Sequence, residues 1–246
     1  ANTGPMCENR SAFSGGCCMP NKQYDVCVNV LRRLNESGVL EHVVLIGSWC
    51  LVLYREYFHD AGLLPAVRTR DMDFLVPSAT RPKTRMDVPE LLKDLGFISG
   101  LRGRAGVMIL EHPELLIEFL VPERGRGGRD VEDLPRLGVN AQPLRFMDVA
   151  LSKTIQLPFE DIPVTAPHPA AFVLHKLLVA PRRASVEKRD KDLNAALMIL
   201  DLLEKRKELP IVRSLLNGFP RPWQRSILNT LRENHRGAVA ELLERG

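Results

Sequence analysis

A chain of 246 residues is long enough for one large domain or two small ones with a buried core. Its hydrophobic fraction of 45% and charged fraction of 26% are ordinary for a globular protein, and its formal net charge is only +4. No apolar run approaches the roughly 20 residues of a membrane span, and no basic-then-apolar secretory pattern opens the sequence, so we expect neither a membrane protein nor a secreted one.

The five cysteines are an odd number without the spacing of a disulfide framework, which predicts a reducing, cytoplasmic environment. Four of them fall within the first 27 residues, at Cys7, Cys17, Cys18 and Cys27. Because two are adjacent and no C-x2-C pair occurs, the pattern favours a flexible N-terminal arm over residues 1–21 rather than a zinc site. Metal binding by these cysteines stays open.

Apolar periodicity predicts a mixed α/β region over residues 22–150. In chain order it predicts a helix carrying Val26, Val30 and Leu34, a strand at 43–46, a helix from Trp49 to Phe58, a strand from Met72 to Val76, a helix over 88–95, and strands at 107–110 and 115–121. The last two strands are separated by 111-EHPE-114, whose proline and polar residues are typical of a hairpin turn.

Residues 151–246 are predicted to form a mainly helical second domain, joined to the first near 146–167. The predicted helices lie at 168–179, 186–206, and around 211–217, 220–234 and 236–245. Charge divides in a similar way, since residues 1–160 hold 19 Lys and Arg against 20 Asp and Glu, and residues 161–246 hold 15 against 10. A basic C-terminal part suits a polyanionic partner, either a nucleoside triphosphate or RNA.

The segment 68-RTRDMDFLV-76 carries the first candidate site. Residues two apart on a strand point to the same face, so Asp71 and Asp73 should project side by side while Met72 and Phe74 enter the core. Two neighbouring carboxylates repel each other unless a cation lies between them. Hard oxygen ligands favour Mg²⁺, which commonly takes one or two carboxylates and leaves positions for phosphate oxygens.

Glu118 is a third carboxylate, within the otherwise apolar run 115-LLIEFLV-121. If this strand neighbours the Asp strand, Glu118 reaches the same site, and three carboxylates can hold two metal ions roughly 3.5–4 Å apart. The alternative is an edge strand with Glu118 facing solvent. Glu111 and Glu114 are weaker candidates because they flank a turn.

The turn 46-IGSW-49 between a strand and a helix is a candidate phosphate site. Glycine at position 47 lets the backbone approach a ligand closely, and free N–H groups at a helix start suit phosphate. Ser48 can cap the helix or hydrogen-bond a phosphate, and the two roles are compatible.

A Gly-Ser turn after a strand, Asp-x-Asp on the next strand and an acid on a later strand resemble the DNA polymerase β-like nucleotidyltransferase superfamily, over residues 40–121. The resemblance implies a nucleotidyltransferase-fold catalytic domain at 22–150, an α/β (α+β) fold with a small mixed sheet. It implies that Gly47 and Ser48 bind the triphosphate and that two Mg²⁺ ions are bound by three acids. By resemblance those acids are Asp71, Asp73 and Glu118.

The stretch from 172 to 200 resembles the helices of abortive-infection and type IV toxin nucleotidyltransferases, as does Arg68-Thr69 before the Asp pair. That resemblance implies that Lys176 touches the triphosphate, that an antitoxin is a partner, and that further charged residues lie near the cleft. Those further residues are Lys188, Arg189, Lys191 and Asp192. The alternatives are that the 187–192 charge run is a solvated helix start and that Lys176 extends to solvent.

The glycine-rich segment 124-RGRGGR-129 either guides RNA or another acidic substrate, or is a loop without a role. The function we infer from the sequence is Mg²⁺-dependent transfer of a nucleoside monophosphate from an NTP such as ATP to an acceptor hydroxyl, with release of pyrophosphate. RNA, including a tRNA end, is the favoured acceptor. The alternatives are a small antibiotic, a protein side chain, or a non-catalytic NTP- or RNA-binding module.

Overall fold

The computed structural model of the protein describes residues 22–59, 69–77, 82, 84–123, 125 and 131–244. In this part of the chain the helices are α1 (Lys22–Glu36), α2 (Cys50–Phe58), α3 (Val88–Leu92), α4 (Met147–Leu151), α5 (Pro169–Val179), α6 (Val186–Lys205), α7 (Leu209–Asn217), α8 (Arg221–Glu233) and α9 (Gly237–Glu244). The strands are β1 (Val44–Ile46), β2 (Asp71–Leu75), β3 (Ile98–Arg102), β4 (Val107–Glu111), β5 (Leu116–Pro122), β6 (Glu132–Leu134), β7 (Val139–Leu144), β8 (Thr154–Phe159) and β9 (Ile162–Pro167). The predictions for the arm at 1–21, for Arg68 and for the arginines of segment 124–129 lie outside the described residues.

The main sheet is built around β5, which is parallel to β2 on one side and antiparallel to β4 on the other. Strand β1 pairs with β2 and β3 pairs with β4, both antiparallel, so the order is β1-β2-β5-β4-β3. The end of β5, from Leu120 to Pro122, pairs in parallel with β7, which β6 then joins. Strand β5 is therefore an interior strand, and the edge-strand alternative for Glu118 is wrong.

Alternate residues of β2 and β5 face the main core, as the period of a strand requires. These residues are fully or almost fully buried, and they are Met72, Phe74, Ile117 and Phe119. The rings of Phe74 and Phe119 stack with their centroids 5.7 Å apart. Helices α1 and α2 contribute to the same core, so the apolar face of the sheet is covered and its strands are held in place.

The opposite face of the sheet is only partly covered. Leu75 and Leu120 belong to a small apolar cluster with Met147 of α4. Further along the same face stand the acidic residues of β2 and β5, which have no apolar cover of this kind. One end of this face is thus closed by α4, and the other end is left for a polar site.

The C-terminal helices are arranged around α5, all of whose residues are buried. A helix that is buried on all sides belongs to the interior, and α5 packs against α4, α6, α7 and α8. Its first turn is capped by His168, whose Nδ1 accepts a hydrogen bond from the Ala170 N–H at 3.1 Å. The hairpin of β8 and β9 lies against β1 and α2, between the sheet and α5.

The predicted fold class, an α/β part with a mixed sheet followed by helices, is confirmed. The sequence did not predict β3, β6, β7 or the β8–β9 hairpin, which occupies much of the predicted 146–167 junction. Among the described helices, none has the length and apolar character needed to cross a membrane.

Candidate active site

A cleft of about 420 Å³ lies between the open face of the sheet and the helices α5 and α6. It is lined by residues that the sequence placed far apart along the chain. Those residues that the sequence analysis had singled out are Gly47, Ser48, Thr69, Asp71, Asp73, Glu118, Lys176, Lys188, Lys191 and Asp192. Neither Glu111 nor Glu114 lines this cleft.

The three acids stand on two adjacent parallel strands. Asp73 is the register partner of Glu118, and Asp71 is the partner of Leu116, two residues earlier on each strand. Asp71 is exposed, whereas Asp73 and Glu118 are partly buried. The prediction that the strand of Glu118 neighbours the Asp strand is confirmed, and the acids share one face because β2 and β5 are in register.

The pKa of the Asp73 carboxyl group is higher than usual, because the group is buried beside other acids. Burial, followed by the charges of Glu118 and Asp71, raises the pKa of Asp73 to about 7, although Lys176 and Arg183 act in the opposite direction. A carboxyl group with like charges beside it and little solvent favours its protonated form unless a cation is added. The electrostatics of the site therefore favour cation binding at Asp73.

Glu118 already has a partner, which the sequence analysis missed. Arg102, the last residue of β3, donates from Nη1 to the Glu118 Oε1 at 2.7 Å. Gly100 of β3 lies opposite Ile109 of β4, which in turn lies opposite Glu118. The contact depends on the pairing of β3, β4 and β5, and because β3 was not predicted, no local pattern could have identified Arg102.

The Gly47 turn approaches the acids so closely that only glycine fits. Its φ is +77°, and a Cβ at this position would lie 2.7 Å from the Asp73 Oδ2. A Cβ contact under 3 Å requires something to move, and the left-handed conformation disfavours side chains as well. Ser48 lies within a short 3₁₀ helix, Gly47–Trp49, that leads into α2, and the N-cap residues of these two helices are Ile46 and Trp49, so the prediction that Ser48 is the N-cap is wrong.

Lys176 lies in the wall of the cleft, but its charge is already compensated. Its Nζ donates to the Asp192 Oδ1, and Arg183 donates from Nε to the Asp192 Oδ2 at 2.8 Å. Only 11% of the Lys176 side chain is exposed, so the alternative in which it extends to solvent is wrong. Although burial raises the pKa of Asp192, Lys176 and Arg183 hold that pKa below its usual value, and the three groups form one charged unit.

Three exposed cations line the helical side of the cleft, at Arg183, Lys188 and Lys191. Lys188 lies in the first turn of α6, where its backbone N–H donates to Ser185 Oγ at 3.3 Å. Arg189 is not among the lining residues, and its Nε contacts Asp190 at 3.3 Å. The charge run of 187–192 is thus divided between cleft and surface, which its spacing alone did not predict.

Thr69 and His175 are two uncharged polar residues of the lining. Thr69 Oγ1 accepts a hydrogen bond from the Asp71 N–H at 3.3 Å, and the Thr69 carbonyl accepts one from Gln23 Nε2 at 2.8 Å. His175 was not singled out from the sequence. Burial, with the charge of Lys176, lowers its pKa to about 3, so its ring is neutral at neutral pH. Its Nε2 is buried and has no hydrogen-bond partner in the described part of the chain.

The residues of the cleft fit a divalent cation by their chemistry. Carboxylate oxygens are the ligands that Mg²⁺ prefers, and Asp73 is short of positive charge. As the side chains stand, however, no three His, Cys, Asp or Glu side chains within the described ranges are gathered closely enough to hold a metal ion. Glu118 is one of the three acids, and its Oε1 is engaged by Arg102. A metal ion that used Glu118 Oε1 would meet the positive charge of Arg102 there.

An enzyme that acts on phosphates needs acidic groups in fixed positions, a backbone turn close to them and positive charge opposite. The acidic strand pair, the Gly47 turn and the basic helical wall provide these parts. Comparison with protein families identifies which class of enzyme this is. A model of a nucleotidyltransferase family matches residues 26–217, which include the whole cleft, and the chain therefore belongs to this nucleotidyltransferase family. It is a transferase, and the general reaction of its family is transfer of a nucleoside monophosphate.

Solved structures give a similar result at the level of the fold. An antigenic nucleotidyltransferase-like protein from Paracoccidioides brasiliensis superposes with a TM-score of 0.55 at 15% identity, over 90% of this chain and 93% of that chain. The solution structure of the antibiotic-resistance factor ANT(2'')-Ia matches with a TM-score of 0.49 at 13% identity, over 89% of this chain and 100% of that one. Its crystal structure with adenylyl-2"-tobramycin matches with a TM-score of 0.43 at 10% identity, over 76% and 99%. A search of curated protein sequences gave no significant match.

Proposed function

We propose that the protein transfers a nucleoside monophosphate from an NTP to an acceptor hydroxyl in a Mg²⁺-dependent reaction that releases pyrophosphate. The observation that carries this proposal is the register pair Asp73 and Glu118, which stands against the Gly47 turn and faces a basic wall. The hydroxyl oxygen forms a bond to the α-phosphorus, and the bond from that phosphorus to the pyrophosphate oxygen breaks. The proton of the hydroxyl passes to a carboxylate of the cleft.

The acids would be the metal ligands, with Asp71 and Asp73 on one strand and Glu118 on the next. When bound, Mg²⁺ supplies a Lewis acid that stabilises negative charge on the phosphate oxygens. Glu118 would also help to take the hydroxyl proton. It lies beside Asp73 on β5, which is farther from the Gly47 turn than β2 is. The strands hold these groups in position, so little reorganisation is needed during the reaction.

The triphosphate would be bound by the Gly47-Ser48 turn and by the exposed cations of the helical wall, Arg183, Lys188 and Lys191. This modifies the role expected for Lys176. Because its ammonium group is paired with Asp192, Lys176 would act mainly by keeping Asp192 in place, and Asp192 in turn orients Arg183. Electrostatic binding of phosphate from a preorganised wall needs no further chemistry from these residues. Thr69 would position the Asp71 backbone, and a role for Arg68 in nucleotide binding remains part of the proposal from the toxin resemblance.

The acceptor we propose is RNA, including a tRNA end. The excess of basic residues in the C-terminal part supports a polyanionic acceptor, and the resemblance of 172–200 to toxin nucleotidyltransferases supports a cytoplasmic toxin with an antitoxin partner. A small antibiotic or a protein side chain would need fewer phosphate contacts. Binding of RNA should therefore weaken steeply with salt, whereas binding of a small acceptor should show little such slope.

The test is incubation of the protein with each α-labelled NTP, Mg²⁺ and one acceptor pool at a time: total RNA, aminoglycosides or a protein extract. We expect label in RNA, none without Mg²⁺, and none with the Asp73→Asn variant, which serves as the matched control. Label in the antibiotic or the protein pool would refute the RNA acceptor while leaving nucleotide transfer intact. Binding of NTP without transfer to any pool would favour the non-catalytic alternative.

A further inference from the structure

Arg102 and Glu118 form an ion pair inside the acidic half of the cleft. The Glu118 side chain is 18% exposed and that of Arg102 is 55% exposed, so the carboxylate is held by the sheet while the guanidinium group reaches in from the end of β3. Both residues line the cleft, and Asp73 is the register partner of Glu118. The pair thus places a positive group at the acidic cluster without adding a ligand to it.

An arginine and a divalent cation at the same carboxylate compete for its negative charge and repel each other. The guanidinium group occupies Glu118 Oε1 at 2.7 Å, and it is a cation that does not lose its proton in proteins. A divalent cation at the acids would have to displace this contact or be repelled by its charge. Because the Arg102 side chain is more than half exposed, it can leave Glu118 for solvent at little cost.

We propose that Arg102 is an exchangeable counter-ion that competes with the catalytic metal for Glu118, an inference that rests on the metal role proposed above for the acids. In the metal-free enzyme Arg102 donates to Glu118 and offsets part of its negative charge. Metal binding then exchanges the Arg102 contact for a metal contact at Glu118. Arg102 therefore sets how tightly the metal binds, although it is not itself a metal ligand.

A second ion pair of the same kind provides a matched control. Arg145 donates from Nε to the Glu123 Oε2 at 2.9 Å, with side-chain exposures of 65% and 17% that are close to those of the Arg102 pair. Neither residue lines the cleft. Removal of Arg145 therefore reproduces the loss of a partly exposed arginine from a mostly buried glutamate, but away from the acids.

The experiment measures the affinity for Mn²⁺ alone, from the electron paramagnetic resonance signal of the free ion, in the full chain without nucleotide. Arg102→Met should bind Mn²⁺ about three- to tenfold more tightly than the wild type, because a competing charge has been removed. Arg145→Met should remain within about twofold of the wild type. An unchanged or weaker affinity of Arg102→Met would overturn the proposal, as would an equal gain in Arg145→Met.

A measurement on the wild-type protein keeps the test valid if Arg102→Met does not fold. The Nε–H resonance of Arg102, assigned with the Arg102→Lys variant, should shift during a Mg²⁺ titration with the same dissociation constant as the metal, because the guanidinium group loses its carboxylate. A resonance that does not move at saturation would refute the exchange. Asp73→Asn separates the two levels of the argument, since undiminished Mn²⁺ binding in that variant would refute the metal site itself. Lost binding there, with a wild-type affinity in Arg102→Met, would refute the exchange alone.

Discussion

Replacement of Asp73 by asparagine should stabilise the metal-free protein while abolishing nucleotide transfer. Burial and the neighbouring acids raise the pKa of Asp73 from an ordinary value of 3.8 to about 7 in the folded state. The folded protein therefore binds this proton more tightly than the unfolded chain. Its free energy of unfolding should fall as the pH rises from about 4 to about 7, and should be constant with respect to this group above that range.

The magnitude follows from the size of the shift. About three pKa units correspond to roughly 4 kcal/mol of lost stability above pH 7, which is an upper value because the cleft is open to water on one side. Asparagine has nearly the shape of a protonated aspartate and no charge. The variant should thus match the wild type near pH 4 and exceed it by up to that amount at pH 8.

The assay is urea unfolding at pH 4.5, 6 and 8 in the presence of EDTA. Asp71→Asn is the matched control, since Asp71 lies on the same face of the same strand but is exposed, and its gain should be much smaller. Saturating Mg²⁺ should stabilise the wild type and leave Asp73→Asn little changed, because the ion binds only the folded state. An Asp73→Asn protein that is less stable than the wild type at pH 8 in EDTA would show that Asp73 has a structural partner, and the reasoning would fail.

Three further substitutions test other parts of the cleft. Glu118→Gln should lower turnover as much as Asp73→Asn does, and near-normal turnover in a steady-state assay would remove Glu118 from the machinery. Gly47→Ala should cost about 1–2 kcal/mol in urea unfolding and most of the activity, because its Cβ meets the Asp73 carboxylate, and an unchanged stability would contradict that packing. Lys176→Met should cost about 1.5–3 kcal/mol because it breaks a buried ion pair with Asp192, which keeps its contact with Arg183, and a loss of NTP affinity at full stability would instead restore a direct phosphate role for Lys176.

The sequence predicted the acidic face of the sheet well because strand geometry is local. The alternation of Asp71, Met72, Asp73 and Phe74 specifies two faces without any knowledge of the neighbouring strands. One acid in an apolar run likewise indicates a strand whose polar residue needs a special environment, and Glu118 proved to be opposite Asp73. The helices of the C-terminal part could also be predicted from the sequence, because their apolar residues recur with helical spacing over long segments.

The contacts that modify the site could not be predicted, because they depend on pairing between distant segments. Arg102 reaches Glu118 only through β3, an edge strand whose residues ISGLR are almost all exposed and show no alternation. Lys176 and Asp192 lie on different helices, and the sequence gives no sign that α5 and α6 pack so that one charge cancels the other. Local patterns therefore indicated which charged residues share a strand face, whereas the pairing of these charges, which decides which of them are available to a ligand, follows from tertiary structure.

The two walls of the cleft bear on which form of the substrate can bind. The acidic wall stands on the interior strands β2 and β5 and cannot move away from an incoming phosphate, which it would repel. The basic wall is fixed in part by Asp192, which accepts a hydrogen bond from Arg183 on the helical side of the cleft. This wall would repel a metal ion that arrived without phosphate. A nucleotide that carries its own divalent cation satisfies both walls at once, since the cation meets the carboxylates and the phosphates meet the arginine and lysines. We therefore expect the metal–nucleotide complex to bind more tightly than either component alone.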